Sequence, residues 1–281
     1  MHSSIKTILM VTGITIFSAF IIKEKKSGGP SDPGLKIIKT WNLPVVLAEI
    51  SGIAVIDSVR FACVQDEVGS IFIYNTATSG IQEEIPFATA GDYEGIAKVN
   101  TTYWVLRSDG KLFEVSTLDG KKTNVKEYST PLTAKHNVEG LCYDKKNNRL
   151  LLAIKNAEPG GKNYKGIYSF DLTTKKMPAE PVFKINMQQE ALSGNKKRSF
   201  QIMPSDIAIH PLTKDMYITD GRNSMVLILD AAGNFKNLYA LNSKDFHQPE
   251  GITFHSNGEM FISNEDVKRS GNILKVEPMR E

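Results

Sequence analysis

Residues 91–99 read GDYEGIAKV, and nearly the same phrase returns as HNVEGLCYD at 136–144 and HQPEGITFH at 247–255. One Glu-Gly ahead of an apolar run says little, because Gly ordinarily marks a turn. Three in one chain point to a repeat. Working outward from the phrase gives five segments: AEISGIAVI from Ala48, DYEGIAKV from Asp92, NVEGLCYD from Asn137, PSDIAIHP from Pro204 and PEGITFHS from Pro249. Their acidic residues are Glu49, Glu94, Glu139, Asp206 and Glu250, spaced by 45 (94 minus 49), 45 (139 minus 94), 67 (206 minus 139) and 44 (250 minus 206). A period near 45 is that of a four-stranded propeller blade.

The same grammar recurs inside each unit. After the acid come an apolar strand, a polar turn such as DKKNN or HSNGE, a second strand such as TYWVLRSD or RLLLAIKN, and a third such as SIFIYN or GKLFEV. Apolar and polar residues alternate and β-branched residues are frequent, which suits strands; helical spacing is nearly absent. A more polar fourth strand, for example IQEEIPF, fits the outer edge of a blade. The chain ends at Glu281 straight after the third strand of the fifth unit, while LKIIKTWNL at 35–43 precedes the first unit without a blade of its own. Supplying the missing strand from the N-terminus closes the ring and removes an exposed edge. The expected fold is all-β, a five-bladed β-propeller over residues 35–281 whose last blade is closed by an N-terminal strand. The long third interval carries a surplus of about 22 residues (67 minus 45), in a widened hairpin KNAEPGGKNYKG and a helical-looking NMQQEALSGNKKRSF. Such loops either shape a binding face or are plain surface excursions.

With 34 Lys and Arg against 31 Asp and Glu, the chain lacks the one-sided basic excess of a nucleic-acid binder, and no nucleic-acid partner is expected. Cys63 and Cys142 each sit in an apolar stretch and read as small buried hydrophobes, since they fall in different repeats and no second Cys or His stands at zinc-ligand spacing. The N-terminus differs in kind. Residues 8–22, ILMVTGITIFSAFII, carry no charge and are followed by KEKKSGGPSDPG. Residues 1–26 therefore read as an uncleaved signal anchor helix, with a cleaved signal peptide as the alternative, and 27–34 as a linker. The lysines within 23–26 pull towards the opposite orientation, but the balance places the globular part outside the cytoplasm, periplasmic or at the cell surface, tied to the membrane by its N-terminus and expected to be monomeric.

The first strand of a blade lines the channel, so one acid per blade there makes a ring of five carboxylates at one mouth. Their repulsion has to be offset by a bound cation, by protonation or by backbone N–H donors. Oxygen donors without Cys or clustered His point to calcium or magnesium, with Ca²⁺ favoured because it accepts irregular oxygen sets. Asp66, Asp109, Asn156, Asp220 and Asn264, at the ends of the second strands, are candidate further donors. The competing reading makes each acid a cap for backbone N–H groups in its turn. His136 and His247 lie three residues ahead of a ring Glu and are the candidate bases or ligand-face residues if the site is catalytic.

The phrases EISGIAV with FACVQDEVGSIFIYN, GDYEGIAKV with TYWVLRSDGKLFEV, and NVEGLCYDKKNNRLLLAIK together resemble the SdiA-regulated, YjiK-like family of bacterial propellers, over about residues 36–280. The resemblance implies a five-bladed propeller, a membrane-attached or exported location and a calcium site near the channel; the family is distantly similar to NHL-repeat propellers, some of which are metal-dependent enzymes. Glu94, Glu139 and Glu250 keep the Glu-Gly form. Glu49 has its Gly displaced and Asp206 has none, which makes these two the least secure members of the ring. Two functions are expected from this reading: a binding or scaffold module with Ca²⁺ at the mouth and a ligand or protein partner on the adjacent face, or a lactonase- or esterase-like hydrolase that holds a catalytic ion with the same carboxylates.

Overall fold

A computed structural model describes residues 34–118, 122–156, 158, 162–187, 201–266 and 270–279. The N-terminal anchor or signal and nearly all of the linker lie outside these residues, as does the helical-looking insertion from 188 to 200. Among the described residues no helix is long and apolar enough to cross a membrane.

Among the described residues, twenty strands form five antiparallel four-stranded sheets. Blade 1 holds β2 (Ile50–Val55), β3 (Arg60–Gln65), β4 (Ser70–Asn75) and β5 (Gly80–Pro86), and blade 2 holds β6 (Tyr93–Val99), β7 (Thr102–Arg107), β8 (Leu112–Leu118) and β9 (Lys122–Tyr128). Blade 3 holds β10 (Val138–Asp144), β11 (Arg149–Ile154), β12 (Tyr164–Asp171) and β13 (Phe183–Asn186), and blade 4 holds β14 (Asp206–Ile209), β15 (Met216–Asp220), β16 (Met225–Leu229) and β17 (Phe235–Ala240). Blade 5 holds β18 (Pro249–Phe254), β19 (Met260–Asn264) and β20 (Asn272–Pro278), and its fourth strand is β1 (Leu35–Asn42), paired to β20 from Leu35 opposite Pro278 to Asn42 opposite Asn272. The N-terminal strand thus closes the ring, as expected.

Burial explains which strands go where. The strands β2, β3 and β4 are buried almost throughout, whereas β5 is largely exposed. A strand between two sheets needs apolar residues on both faces, and an outer strand does not. Five apolar clusters fill the five interfaces between neighbouring blades. Between blades 1 and 2, Phe87, Tyr93 and Phe113 meet edge to face at 4.9, 5.4 and 5.7 Å. Each such ring stabilises the fold by about 1.5–3 kcal/mol through area removed from water, with a further contribution from ring geometry. Cys63 and Cys142 are free and buried in two different clusters.

The inner strands β2, β6, β10, β14 and β18 touch one another in turn around the channel. All five start at one end, here called the mouth, and run to the other, the exit. At the exit the channel holds a cavity of about 210 Å³, lined by residues of all five inner strands, among them Ile53, Ile96, Leu141, Ile207 and Ile252.

Candidate functional site

The recurrent Glu owes its position to a β-bulge. In four blades the pairing of the first strand with the second slips by one residue near the mouth: between Ile50 and Gly52, Tyr93 and Gly95, Val138 and Gly140, and Pro249 and Ile252. A bulge leaves a residue out of the ladder and re-aims its side chain. The glycine that follows is required by close approach. A Cβ on Gly95 would stand 2.7 Å from Cβ of Leu141 and 3.0 Å from the Glu139 carbonyl oxygen, so the neighbouring inner strand occupies its place.

The register also shows which residue each blade contributes. Aligned on the paired strands, Glu94, Glu139 and Glu250 share their position with Ser51 and Ser205, not with Glu49 and Asp206. The two serines lock the ring. Ser51 Oγ donates to the Tyr93 carbonyl at 2.6 Å and Ser205 Oγ to the Pro249 carbonyl at 2.9 Å, in each case just before the Glu of the next blade. Asp206 stands at the glycine position of blade 4, and backbone donors take up its carboxylate. Its Oδ1 accepts the N–H of Leu141 at 3.1 Å and of Ile207 at 2.8 Å, and its Oδ2 accepts that of Ile252 at 2.8 Å. This carboxylate ties the inner strands of blades 3, 4 and 5 together. Glu49 lies in the connection before β2, half-buried, where its charge helps to raise Asp66.

Glu94, Glu139 and Glu250 are brought together electrostatically. Burial raises all three above their ordinary value, Glu250 to about 8 and Glu139 to about 7, while Glu94 is raised by burial and by the charges of Glu139, Asp92 and Glu250. Sequence reasoning missed the residue that completes this group. Lys155, just past the end of β11, places Nζ 2.8 Å from Glu139 Oε1, and its own proton is held more tightly by Glu139, Glu250 and Glu94. Asn137 Nδ2 donates to the same Oε1 at 2.7 Å, and Gln248 Nε2 donates to Glu250 at 3.0 Å and to Glu265 at 2.6 Å. Glu139 Oε2 is buried without a hydrogen-bond partner. The repulsion is therefore offset in this structure by the Lys155 ammonium at Glu139 and, at Asp206, by backbone N–H groups, while burial favours the protonated form of the three Glu carboxyls.

Lys155 has register equivalents. Asp66, Lys155 and Glu265 directly follow Gln65, Ile154 and Asn264, the partners of Ile50, Val138 and Pro249. They form a second tier at the mouth. Burial, then Glu49, raises Asp66 to about 6, and its Oδ1 is buried and unpartnered, as is Asn264 Oδ1. Asp109 pairs with Arg107 at 2.7 Å, Asn156 caps the Lys135 carbonyl, and Asp220 accepts from Met203 N–H and from Asn223. These three are committed to local structure. His136 Nδ1 accepts the Thr133 N–H at 3.0 Å and so braces its own turn, and His247 Nε2 stands 4.0 Å from Asp266.

The match to a family model named SdiA-regulated runs over residues 38–268, from the closing strand to beyond β19. The chain belongs to the SdiA-regulated family. No curated protein matches it by sequence. Among solved structures, this SdiA-regulated chain is similar to glutaminyl cyclase of Myxococcus xanthus, with a TM-score of 0.62 at 14% identity over 88% of this chain and 98% of that one. It is also similar to a protein of unknown function from Bacteroides thetaiotaomicron (TM-score 0.53, 12% identity, 85% of this chain and 57% of that one) and to a luciferin-regenerating enzyme (0.50, 12%, 82% and 78%). At these identities the likeness is one of fold, and the site of this family member stands on its own residues.

Proposed function

We propose that the protein is a ligand-binding module without turnover, held outside the cytoplasm by its N-terminal apolar segment, and that the mouth of its channel takes a calcium ion. The observation that carries this reading is the crowding of the buried carboxyls of Glu139 and Glu250 and the half-buried one of Glu94 around the Lys155 ammonium, with Glu139 Oε2 left unpartnered among the described residues. The unpartnered atoms of the mouth, Glu139 Oε2, Asp66 Oδ1 and Asn264 Oδ1, are all hard oxygens, the donor type that suits calcium. As these side chains stand they make no ready coordination sphere. Among the described residues no three His, Cys, Asp or Glu side chains are grouped as metal ligands. A calcium ion therefore has to displace the Lys155 ammonium and the protons that burial favours on these carboxyls. The hydrolytic alternative needs a base directed at the ion, and His136 is committed to its own turn. Extracytoplasmic placement is supported by the uncharged run 8–22 and the Gly, Ser and Pro linker that follows it.

Calorimetric titration of the full chain with calcium at pH 6 and pH 8 tests the reading. Binding is expected to be saturable, tighter at pH 8 and accompanied by proton release. Glu139→Gln should weaken it at least tenfold, and Lys155→Met should tighten it. Absence of heat at both pH values, with a melting temperature indifferent to calcium, would sink the proposal.

A further inference from the structure

The exit end of the molecule carries a second concave feature, unrelated to the mouth. Between blades 3 and 4, the turn joining β10 to β11 and the turn joining β14 to β15 stand over a cavity of about 430 Å³. Its floor is apolar, built from Leu151, Phe183, Ile209 and Met216, and its rim carries Lys145, Lys146, Arg149 and Lys214. Among the described residues the one acidic member of the lining, Asp144, is already engaged. It accepts from Asn147 N–H, from Asn147 Nδ2 and from Arg149 Nε at 2.8 Å, which leaves the cationic rim in excess. The same bond holds the Arg149 guanidinium over the Phe183 ring, 5.6 Å from its centroid, at the boundary between floor and rim. Lys145 and Lys146 are exposed, and among the described residues no carboxylate pairs with them. Tyr143, Ile209 and Pro211 line both this cleft and the 210 Å³ cavity at the end of the channel, so the apolar floor continues towards the molecular axis.

We infer that this cleft is a binding site for one small amphipathic anion, a carboxylate with an alkyl or aryl body. The carboxylate meets the planar donors of Arg149 and the lysines of the rim, while the body lies against Phe183 and Met216. Three features select this class. A planar guanidinium next to unpaired ammonium groups recognises a carboxylate. An apolar floor at the base of a charged rim rewards a ligand with one charged end and one apolar end, and penalises a fully polar anion. The volume falls in the range of small-molecule pockets, which favours a single molecule over a flat bilayer surface.

Equilibrium dialysis of the full chain against labelled decanoate tests the inference, with decanol as the uncharged analogue. Two variants in the same chain cancel whatever the N-terminal apolar segment absorbs. Ala231→Trp, at an exposed lining position, plugs the cleft, and Lys145→Glu with Lys146→Glu reverses the rim on an exposed turn. Wild type is expected to take up one decanoate per chain saturably, the Trp variant to lose that uptake, and the charge-reversed variant to bind at least tenfold more weakly with decanol uptake unchanged. Should the Trp variant melt early, the charge-reversed pair decides alone. Equal uptake by wild type and the charge-reversed chain overturns the inference, as does decanoate uptake only in the presence of anionic phosphatidylglycerol vesicles. Calcium binding at the mouth plays no part in either outcome.

Discussion

Among individual residues, Lys155 decides how the mouth behaves. Its ammonium makes the charge of Glu139 tolerable in a site that burial would otherwise keep neutral. The folded values of Glu139 and Glu250, about 7 and about 8, lie above the ordinary 4.5, so between those limits the native state holds more protons than the unfolded chain. Stability is then greatest at mildly acid pH and falls as pH rises from about 5 towards 8, by up to about 1.4 kcal/mol per pH unit for each carboxyl that stays protonated. Urea denaturation in the presence of a chelator should show this fall, and a flat profile would contradict it. Lys155→Met should make the slope steeper. Near pH 5.5 the carboxyls are protonated and the ammonium has little to offset, whereas near pH 8 its loss strands Glu139. Breaking a fully buried pair costs about 3–5 kcal/mol, and the partial exposure of Lys155 brings this down to roughly 1–3 kcal/mol. Glu94→Gln, which replaces a carboxyl that keeps its proton, should leave stability at pH 7.5 unchanged or raised.

At the scale of the element, the inner strand of blade 4 shows how one acid substitutes for a glycine. Where Gly52, Gly95, Gly140 and Gly251 let neighbouring inner strands approach, Asp206 binds them through its carboxylate. Asp206→Ala would leave the N–H groups of Leu141, Ile207 and Ile252 buried without these acceptors, each at about 1–3 kcal/mol, so a loss of at least about 3 kcal/mol is expected in chemical denaturation. If Asp206 were instead a replaceable member of the mouth, the loss would stay below about 1 kcal/mol. Strand period, blade number and the closing strand were legible in the sequence because alternation and a repeat near 45 residues survive without any knowledge of pairing. Exact ring membership was not. Glu49 stands two residues before the ring position Ser51 and Asp206 one residue after Ser205, offsets set by pairing register that a spacing near 45 residues does not resolve, so both fell in line with the Glu residues while Ser51 and Ser205 went unseen. Lys155 was hidden for another reason. In RLLLAIKN it looks like any lysine ending a strand, and only its shared register with Asp66 and Glu265 marks it as facing the mouth.

For the whole molecule, closure through β1 is the feature on which the rest depends. The ring has no hub, and each blade is held by its two neighbours, so an unfinished blade 5 weakens its contacts with both blade 1 and blade 4. The strand contributes Leu35 to the cluster between blades 4 and 5 and Trp41 to the one between blades 5 and 1, where its ring lies 6.2 Å from that of Phe261. Burying two such side chains stabilises by about 1.5–3 kcal/mol each, and the ladder to β20 adds about 0.5–1.5 kcal/mol per net hydrogen bond. Their sum is a large share of the 5–15 kcal/mol typical of a folded domain. A chain lacking residues 1–42 should therefore melt at least about 10 °C lower, or fail to fold cooperatively, and should associate through the bared edge of β20. A chain lacking only residues 1–33 keeps every β1 pairing and should melt within about 2 °C of the full-length protein. Circular-dichroism melts with size-exclusion chromatography separate the two. A sharp, monomeric transition at the full-length temperature for the shorter chain would show that four blades and an open fifth suffice, and that β1 only covers an edge.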